Sequence, residues 1–550
     1  MNMKNNICFR KYICTGLAAV CLLMPFYAQD AGDSQIELPD LTTVVTGDSA
    51  PEDIAPPPSF DDVLELPMDS GDLVPSLPSV SADDESEVVA AGNQANKKDI
   101  YAEGKIGGGY PVSFKGDFVV SRLYGADPFQ ISFAHDSKAG YAGHELSDGY
   151  KSSFTSIQVQ KDFIRNNIEW GISGCYEDNS DGLQGKAEGI SANVQDAVAL
   201  AGKLTWNLPK NFQLGFNLDS KYYFRFADIT KSADPAFAVS DWIKKTEHFT
   251  VDPTLTIGWL YNGFELSFDA AYNMETGKKI ANRGQFDLNF AWANEKIKVY
   301  ADAGIVCGNY TGDNKVTVPF EVGLDTSFPV YFSDRKLNLS LCGGIKSERK
   351  TTQELEKEYK FSVLEDLAAE TSDWFGQINL LVPLKSSFTG NVSAGYLRTA
   401  FGNGYWVPDY SIVNPQNGLY GYGDTGHNRN CLYTDFSFTW KFKIFAATAG
   451  YHANWLDVPV LENKHTISLD LSLQSQKGSW GASLNTAYLL DAADNKPLIN
   501  IEGYMQASDA VRIVLSVNDL IKLLGAEERA YAGQYAGYSG NAMLLVKFLF

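Results

Sequence analysis

Asn541-Ala542-Met543-Leu544-Leu545-Val546-Lys547-Phe548-Leu549-Phe550 is the stretch on which the reading of this chain turns. Counted back from Phe550, every second residue is apolar: Phe548, Val546, Leu544 and Ala542, with Lys547 in the opposite phase. That period belongs to a strand with one apolar face. About ten residues is also the length a tilted strand needs to cross a bilayer. The last strand of a soluble sheet would read the same way, so the rest of the chain decides between them.

From residue 99 onward the same period recurs. Phe212, Leu214, Phe216 and Leu218 alternate with Gln213, Gly215 and Asn217. Phe286, Leu288, Phe290 and Trp292 alternate with Asp287, Asn289 and Ala291. Phe436 to Phe442 and Ile467 to Leu473 repeat it. These runs exceed the usual strand length of soluble sheets. No helical sequences are expected between them. Asn262-Gly263 between two alternating runs marks a hairpin, and tight turns are expected near Asn166, Lys210, Asn294, Lys443, 476–478 and Asp509. Between these turns lie longer polar stretches: 137–150, 177–190, 227–247, 347–371, 401–430 and 520–540. Alternating short and long connections are the mark of an outer-membrane barrel, with tight periplasmic turns and longer external loops. The fold class expected is therefore all-β: a transmembrane antiparallel β-barrel of about 22 strands. Tyr110, Tyr124, Tyr150, Trp292, Tyr300, Trp440 and Tyr488 fall near strand ends, as aromatic rings do at headgroup level.

The start of the chain fits export. Lys4, Arg10 and Lys11 precede an apolar run over 12–26, and small residues follow at Ala28 and Ala31. Residues 1–28 read as a secretory signal peptide. Residues 29–98 are of another kind: no Lys or Arg lies between Asp30 and Asn96, acids are dense, and prolines recur at Pro39, Pro51, 56–58, Pro67, Pro75 and Pro78. A segment like this buries too little apolar surface to offset chain entropy and is expected to be disordered. Its short apolar-acidic patches, such as Leu64-Glu65-Leu66-Pro67, read either as plain spacer or as docking motifs for a periplasmic partner. Residues 99–550 form the barrel.

The chain has 550 residues, 44% of them hydrophobic, with 48 Gly, 28 Tyr and a formal net charge of −22. That charge argues against a nucleic-acid partner. Cys175, Cys307, Cys342 and Cys431 are far apart and no Cys/His cluster appears, so no metal or cofactor is expected. No catalytic constellation is present either: adjacent residues such as His135 and Asp136 point to opposite faces of a strand. Glu354, Glu356 and Glu358 read as a solvated loop, and Tyr405, Tyr410, Tyr420 and Tyr422 read either as plain loop composition or as a surface able to stack on a sugar or peptide ligand.

Leu544, Val546, Phe548 and the terminal Phe550 resemble the C-terminal signal that outer-membrane barrels present to the barrel assembly machinery. A barrel of this size closed by this end, with Val517-Asn518-Asp519-Leu520-Ile521 before the last loop, resembles the TonB-dependent receptors. Leu41-Thr42-Thr43-Val44-Val45-Thr46-Gly47 resembles the family's TonB box, which implies strand addition to an energy-coupling protein through Thr42, Thr43, Val44, Val45 and Thr46. The family also carries a globular plug between box and barrel. Here about fifty acidic, proline-rich residues stand in that place, so a plug is not expected and the lumen is open unless loops fold inward. The resemblance implies a plugless outer-membrane channel or transporter for small solutes. The other reading is a non-transporting surface or scaffold barrel whose loops bind external ligands and whose acidic tail docks a periplasmic partner.

Overall fold

The computed structural model describes residues 100–549 except 123–126, 142, 230–244, 311–312, 331–332, 366, 369, 386, 402–405, 425–428, 491–495, 526–527 and 539. Residues 1–99, with the expected signal peptide, acidic segment and TonB-box-like stretch, lie outside it, as does Phe550.

An antiparallel sheet closes on itself as a 22-stranded barrel. In chain order its strands are β1 (Tyr101–Tyr110), β2 (Ser113–Arg122), β3 (Phe129–Ala139), β4 (Lys151–Arg165), β5 (Ile168–Gly182), β6 (Ile190–Leu208), β7 (Phe212–Ile229), β8 (Lys245–Tyr261), β9 (Phe264–Thr276), β10 (Ile280–Ala293) and β11 (Ile297–Tyr310). β12 is two pieces, Asp313–Thr317 and Phe320–Val330, broken at Val318-Pro319 and both paired to β11. There follow β13 (Ser333–Glu348), β14 (Thr371–Lys385), β15 (Phe388–Phe401), β16 (Asn430–Phe442), β17 (Phe445–Asn454), β18 (His465–Gln474), β19 (Trp480–Leu489), β20 (Leu498–Ser508), β21 (Val511–Asn518) and β22 (Asn541–Leu549). Each strand pairs with its sequence neighbour, and β22 pairs with β1 from Glu103↔Leu549 to Tyr110↔Ala542. Full closure leaves no sheet edge, the one way a sheet satisfies its backbone groups in lipid.

Alternation sorts the side chains as expected. Phe286 and Leu288 on β10 are 53% and 52% exposed on the outside. Between and beside them on the inner face, Gln285 donates to Asp287 at 2.6 Å, and Asn289 donates to Ser267 at 3.0 Å. Leu544, Val546 and Phe548 share the outward face of β22, with Leu544 54% exposed. Tight turns gather at one end. Asn166, Lys210, Asn262 and Lys443 take positive φ there (52°, 63°, 45° and 51°), and Gly263 follows Asn262 at φ 80°. Long loops gather at the other end, but three connections at that end are short: Tyr110 to Ser113, Thr276 to Ile280 and Tyr310 to Asp313.

Three expectations are corrected. Helices occur in the long loops: α1 (Thr352–Glu358) and α2 (Leu520–Gly525). Tyr300 faces inward and donates to Glu321 at 3.1 Å rather than sitting at a headgroup level. Tyr150 is 7% exposed and packs on Tyr141 inside a loop core. The wall is also uneven. β4 to β8 run 15 to 19 residues, against 8 to 11 for β17 to β22. That surplus beyond a bilayer crossing carries Tyr223, Arg225 and His248 up to the long-loop end.

Candidate functional site: a loop cap over the lumen

Residues 349–370 leave β13 and turn into the barrel mouth. Thr351 caps α1: its hydroxyl accepts from the Glu354 amide at 3.4 Å, and the Glu354 carboxylate accepts from the Thr351 amide at 2.7 Å. This reciprocal box stops the helix unwinding into solvent. A second acid, Glu275 of β9, accepts from the Thr352 amide at 2.9 Å, placing negative charge at the helix start. Its other oxygen binds Arg349 at 2.7 Å.

Two more Arg–Glu pairs fasten the same loop. Glu356 of α1 accepts from Arg225 of β7 at 3.1 Å and from Tyr223 at 2.5 Å, and its other oxygen takes the Leu364 amide at 2.9 Å. Glu370 accepts from Arg283 of β10 at 3.1 Å and from Ser347 at 2.6 Å. Glu275, Glu356 and Glu370 are all buried. A buried ion pair adds little net stability over an apolar isostere, but losing one partner strands the other charge at a cost of about 3–5 kcal/mol. The three pairs therefore fix where the loop sits. At the rim, Lys357 and Lys360 reach Glu177 and Asp181 of β5 at 3.3 Å and 3.4 Å.

Other loops pack on this one. Tyr420, from the 402–429 loop, donates its amide to the Phe361 carbonyl at 2.8 Å, and Ser362–Val363 lies parallel to Tyr420-Gly421. The hairpin Arg529–Ala532 with Tyr535–Gly537 comes in from the 519–540 loop. Tyr535 stacks on Phe361 at 3.8 Å and 2°, and its hydroxyl donates to the Gly418 carbonyl. Gln184, from the β5–β6 loop, clips the hairpin by accepting from the Ala536 amide at 2.9 Å and donating to its carbonyl at 2.8 Å. Leu183, Ile190, Val363, Leu419 and Tyr420 complete a small apolar core, and a second one forms around Leu355, Tyr359, Leu364 and Val407.

Burial raises the tyrosine hydroxyls here. Tyr141, Tyr531 and Tyr538 are pushed up to about 12, and Tyr410, Tyr422 and Tyr535 are raised as well.

The cap overturns one expectation. Glu356 is 1% exposed in the centre of the latch rather than solvated. Tyr420 is fully buried in the cap, and Tyr410 and Tyr422 pack, partly buried, against its two apolar cores. His135 lies on the outward face of β3 beside Phe114, bonded to Thr155, while Asp136 faces the lumen. Among the described residues no group of three or more His, Cys, Asp or Glu is arranged to hold a metal. Leu544, Val546 and Phe548 come together on one face of β22; Thr42 to Thr46 lie outside the described residues. The latch residues Arg225, Glu275, Arg283, Arg349 and Glu370 were not legible as a group. The capping pattern Thr351-x-x-Glu354 was the one local signal for α1.

No protein-family model and no curated protein sequence matches the chain. Solved structures do. The FrpB iron transporter from Neisseria meningitidis aligns with a TM-score of 0.60 at 9% identity, over 82% of each chain. The copper transporter OprC aligns at 0.63 and 10% identity, over 82% of this chain and 81% of that one. The siderophore receptor PirA from Acinetobacter baumannii aligns at 0.58 and 10% identity, over 83% and 81%. The fold is that of an outer-membrane β-barrel. At such identities the likeness extends to the fold alone.

Proposed function

We propose that this protein is a plugless outer-membrane transporter of small solutes, related in architecture to the TonB-dependent receptors, in which the loop cap does the work of a plug from the external side. The observation that carries this reading is the latch. Three Arg–Glu pairs with buried carboxylates hold residues 349–370 across the mouth of a polar lumen. A surface scaffold has no need to turn charged loop residues inward and bury them. Solutes pass when the latch opens, and the Thr42–Thr46 stretch offers the periplasmic segment a strand with which to engage an energy-coupling partner. The protein is not an enzyme in this reading, and it needs no cofactor.

Conductance in planar bilayers tests it. The intact protein should be closed with brief openings. A variant with residues 352–368 replaced by a short Gly-Ser linker should conduct steadily. If the cap-replaced barrel, correctly folded, passes no current, the transport reading fails and the non-transporting surface or scaffold barrel replaces it.

A further inference from the structure

Beneath α1 the latch encloses a histidine whose polar atoms it does not use. His248 of β8 is buried, and neither ring nitrogen has a hydrogen-bond partner among the described residues. It stands directly across from Tyr223 of β7. Phe249, in the opposite phase, is exposed on the outer wall, so the imidazole faces the lumen. The ring lies close against the β9 end: a Cβ on Gly277 would come within 2.8 Å of its Nδ1 and Cε1. Its Nδ1 is 3.6 Å from Glu275 Oε1, beyond hydrogen-bond reach. A buried polar group left without a partner is costly.

The charged groups facing the ring come from each element packed on it. Arg225 and Tyr223 are on β7, Glu275 is on β9, Glu356 is on α1, and Arg349 reaches Glu275 from the link between β13 and α1. On β8 itself, Lys245 and Glu247 pair with each other in the opposite, outward phase. The two inward cations and two inward anions balance. Every oxygen of the two carboxylates is already engaged. Glu275 takes the Thr352 amide at 2.9 Å and Arg349 at 2.7 Å, and Glu356 takes Arg225, Tyr223 and the Leu364 amide. A proton on His248 in the closed cap adds a buried positive charge to a set that has no oxygen to spare for it.

We propose that His248 is an acid-sensitive trigger of the latch: a proton on its imidazole releases residues 349–370 from the barrel mouth. Burial holds the imidazole below its ordinary value of 6.5, against the pull of Glu275 and Glu356 and with the help of Arg225. An opened cap returns the ring to water, where it takes a proton at the ordinary value. The closed cap therefore binds fewer protons than the open one. Closure is unaffected above pH 6.5 and weakens as pH falls below it. This concerns the cap alone and goes beyond the transport reading.

Hydroxyl-radical footprinting of the exported protein in detergent, read by mass spectrometry, tests it. Leu355, Tyr359 and Leu364 are buried under the closed cap. Between pH 7.5 and 5.5 their oxidation should rise by up to about tenfold, the limit one pH unit below a free imidazole's 6.5. H248Q and H248F have no ring that titrates in this range, so each separates His248 from every other acid-sensitive group. Either variant, with the heat-modifiable mobility of a folded barrel, should keep the parent's pH 7.5 level at both pH values. An acid response in a folded variant equal to the parent's would overturn the proposal. So would a parent cap that stays shut or tightens at pH 5.5. Conductance enters neither readout, so a failed transport reading would leave this result standing.

Discussion

Glu356 and Arg225 meet at 3.1 Å with side chains 0% and 1% exposed, although 131 residues separate them in the chain. One belongs to a loop, the other to the barrel wall. Their contact is what turns a flexible connection into part of the lumen, because neither charge tolerates burial alone.

Replacing one partner should open the cap without unfolding the barrel. E356Q leaves Arg225 buried without its counter-charge and should cost about 3–5 kcal/mol of cap closure. Trypsin should then cut after Lys357 and Lys360, while heat-modifiable mobility on gels stays that of a folded barrel. The apolar pair R225M/E356M should restore most of the protection. Equal trypsin resistance in E356Q and the parent would show that the pair does not hold the loop.

Tyr535 should behave as the keystone between two loops. It stacks on Phe361 and donates to Gly418. Y535F removes only the hydroxyl and should cost about 1 kcal/mol. Y535A removes the ring and should cost about 3–5 kcal/mol. Hydrogen exchange over residues 411–422 reads the difference: slight acceleration in Y535F and near-complete loss of protection in Y535A. Identical exchange in the two variants would mean the stack contributes nothing.

The barrel was legible because lipid and lumen impose opposite chemistry on alternate residues. Phe286, Leu288 and Phe290 against Asp287 and Asn289 write that contrast into five residues of sequence. Asn262-Gly263 likewise carries its turn locally, in two positive φ angles. The cap had no such signature. Its core draws Leu183, Phe361, Tyr420 and Tyr535 from separate loops, so no segment shows a period. Glu354, Glu356 and Glu358 look alike in sequence, yet Glu354 caps its own helix while Glu356 finds Arg225 on a distant strand. Only the fold distinguishes them.

The seam between β1 and β22 should be intolerant of side chains at one glycine and far more tolerant at the next. A Cβ on Gly107 would sit 2.2 Å from the Leu544 carbonyl oxygen, whereas one on Gly108 would come no nearer than 3.3 Å to its nearest neighbour, the Ser113 carbonyl oxygen. G107A should therefore prevent closure, and the heat-modifiable folded band should disappear. G108A should fold as the parent does. A fully folded G107A barrel would mean that β22 can shift away from β1 without loss.

Alkaline pH should release the cap before it harms the barrel. Burial holds the hydroxyls of Tyr141, Tyr531 and Tyr538 at about 12, above the ordinary tyrosine value of 10. The folded cap thus keeps its protons where an open cap would lose them. Its stability is unaffected below pH 10, declines as pH rises past 10, and is lost through about 12. Absorbance at 295 nm should show a late group of tyrosines ionising only near pH 12. That late group should ionise together with loss of near-ultraviolet dichroism from the packed rings, while the far-ultraviolet β signal persists. Y535A, with its cap already loosened, should move the late group toward 10. A single transition at 10 in the parent protein, with near-ultraviolet dichroism intact, would mean that these rings are open to solvent and that the loops do not form a packed cap.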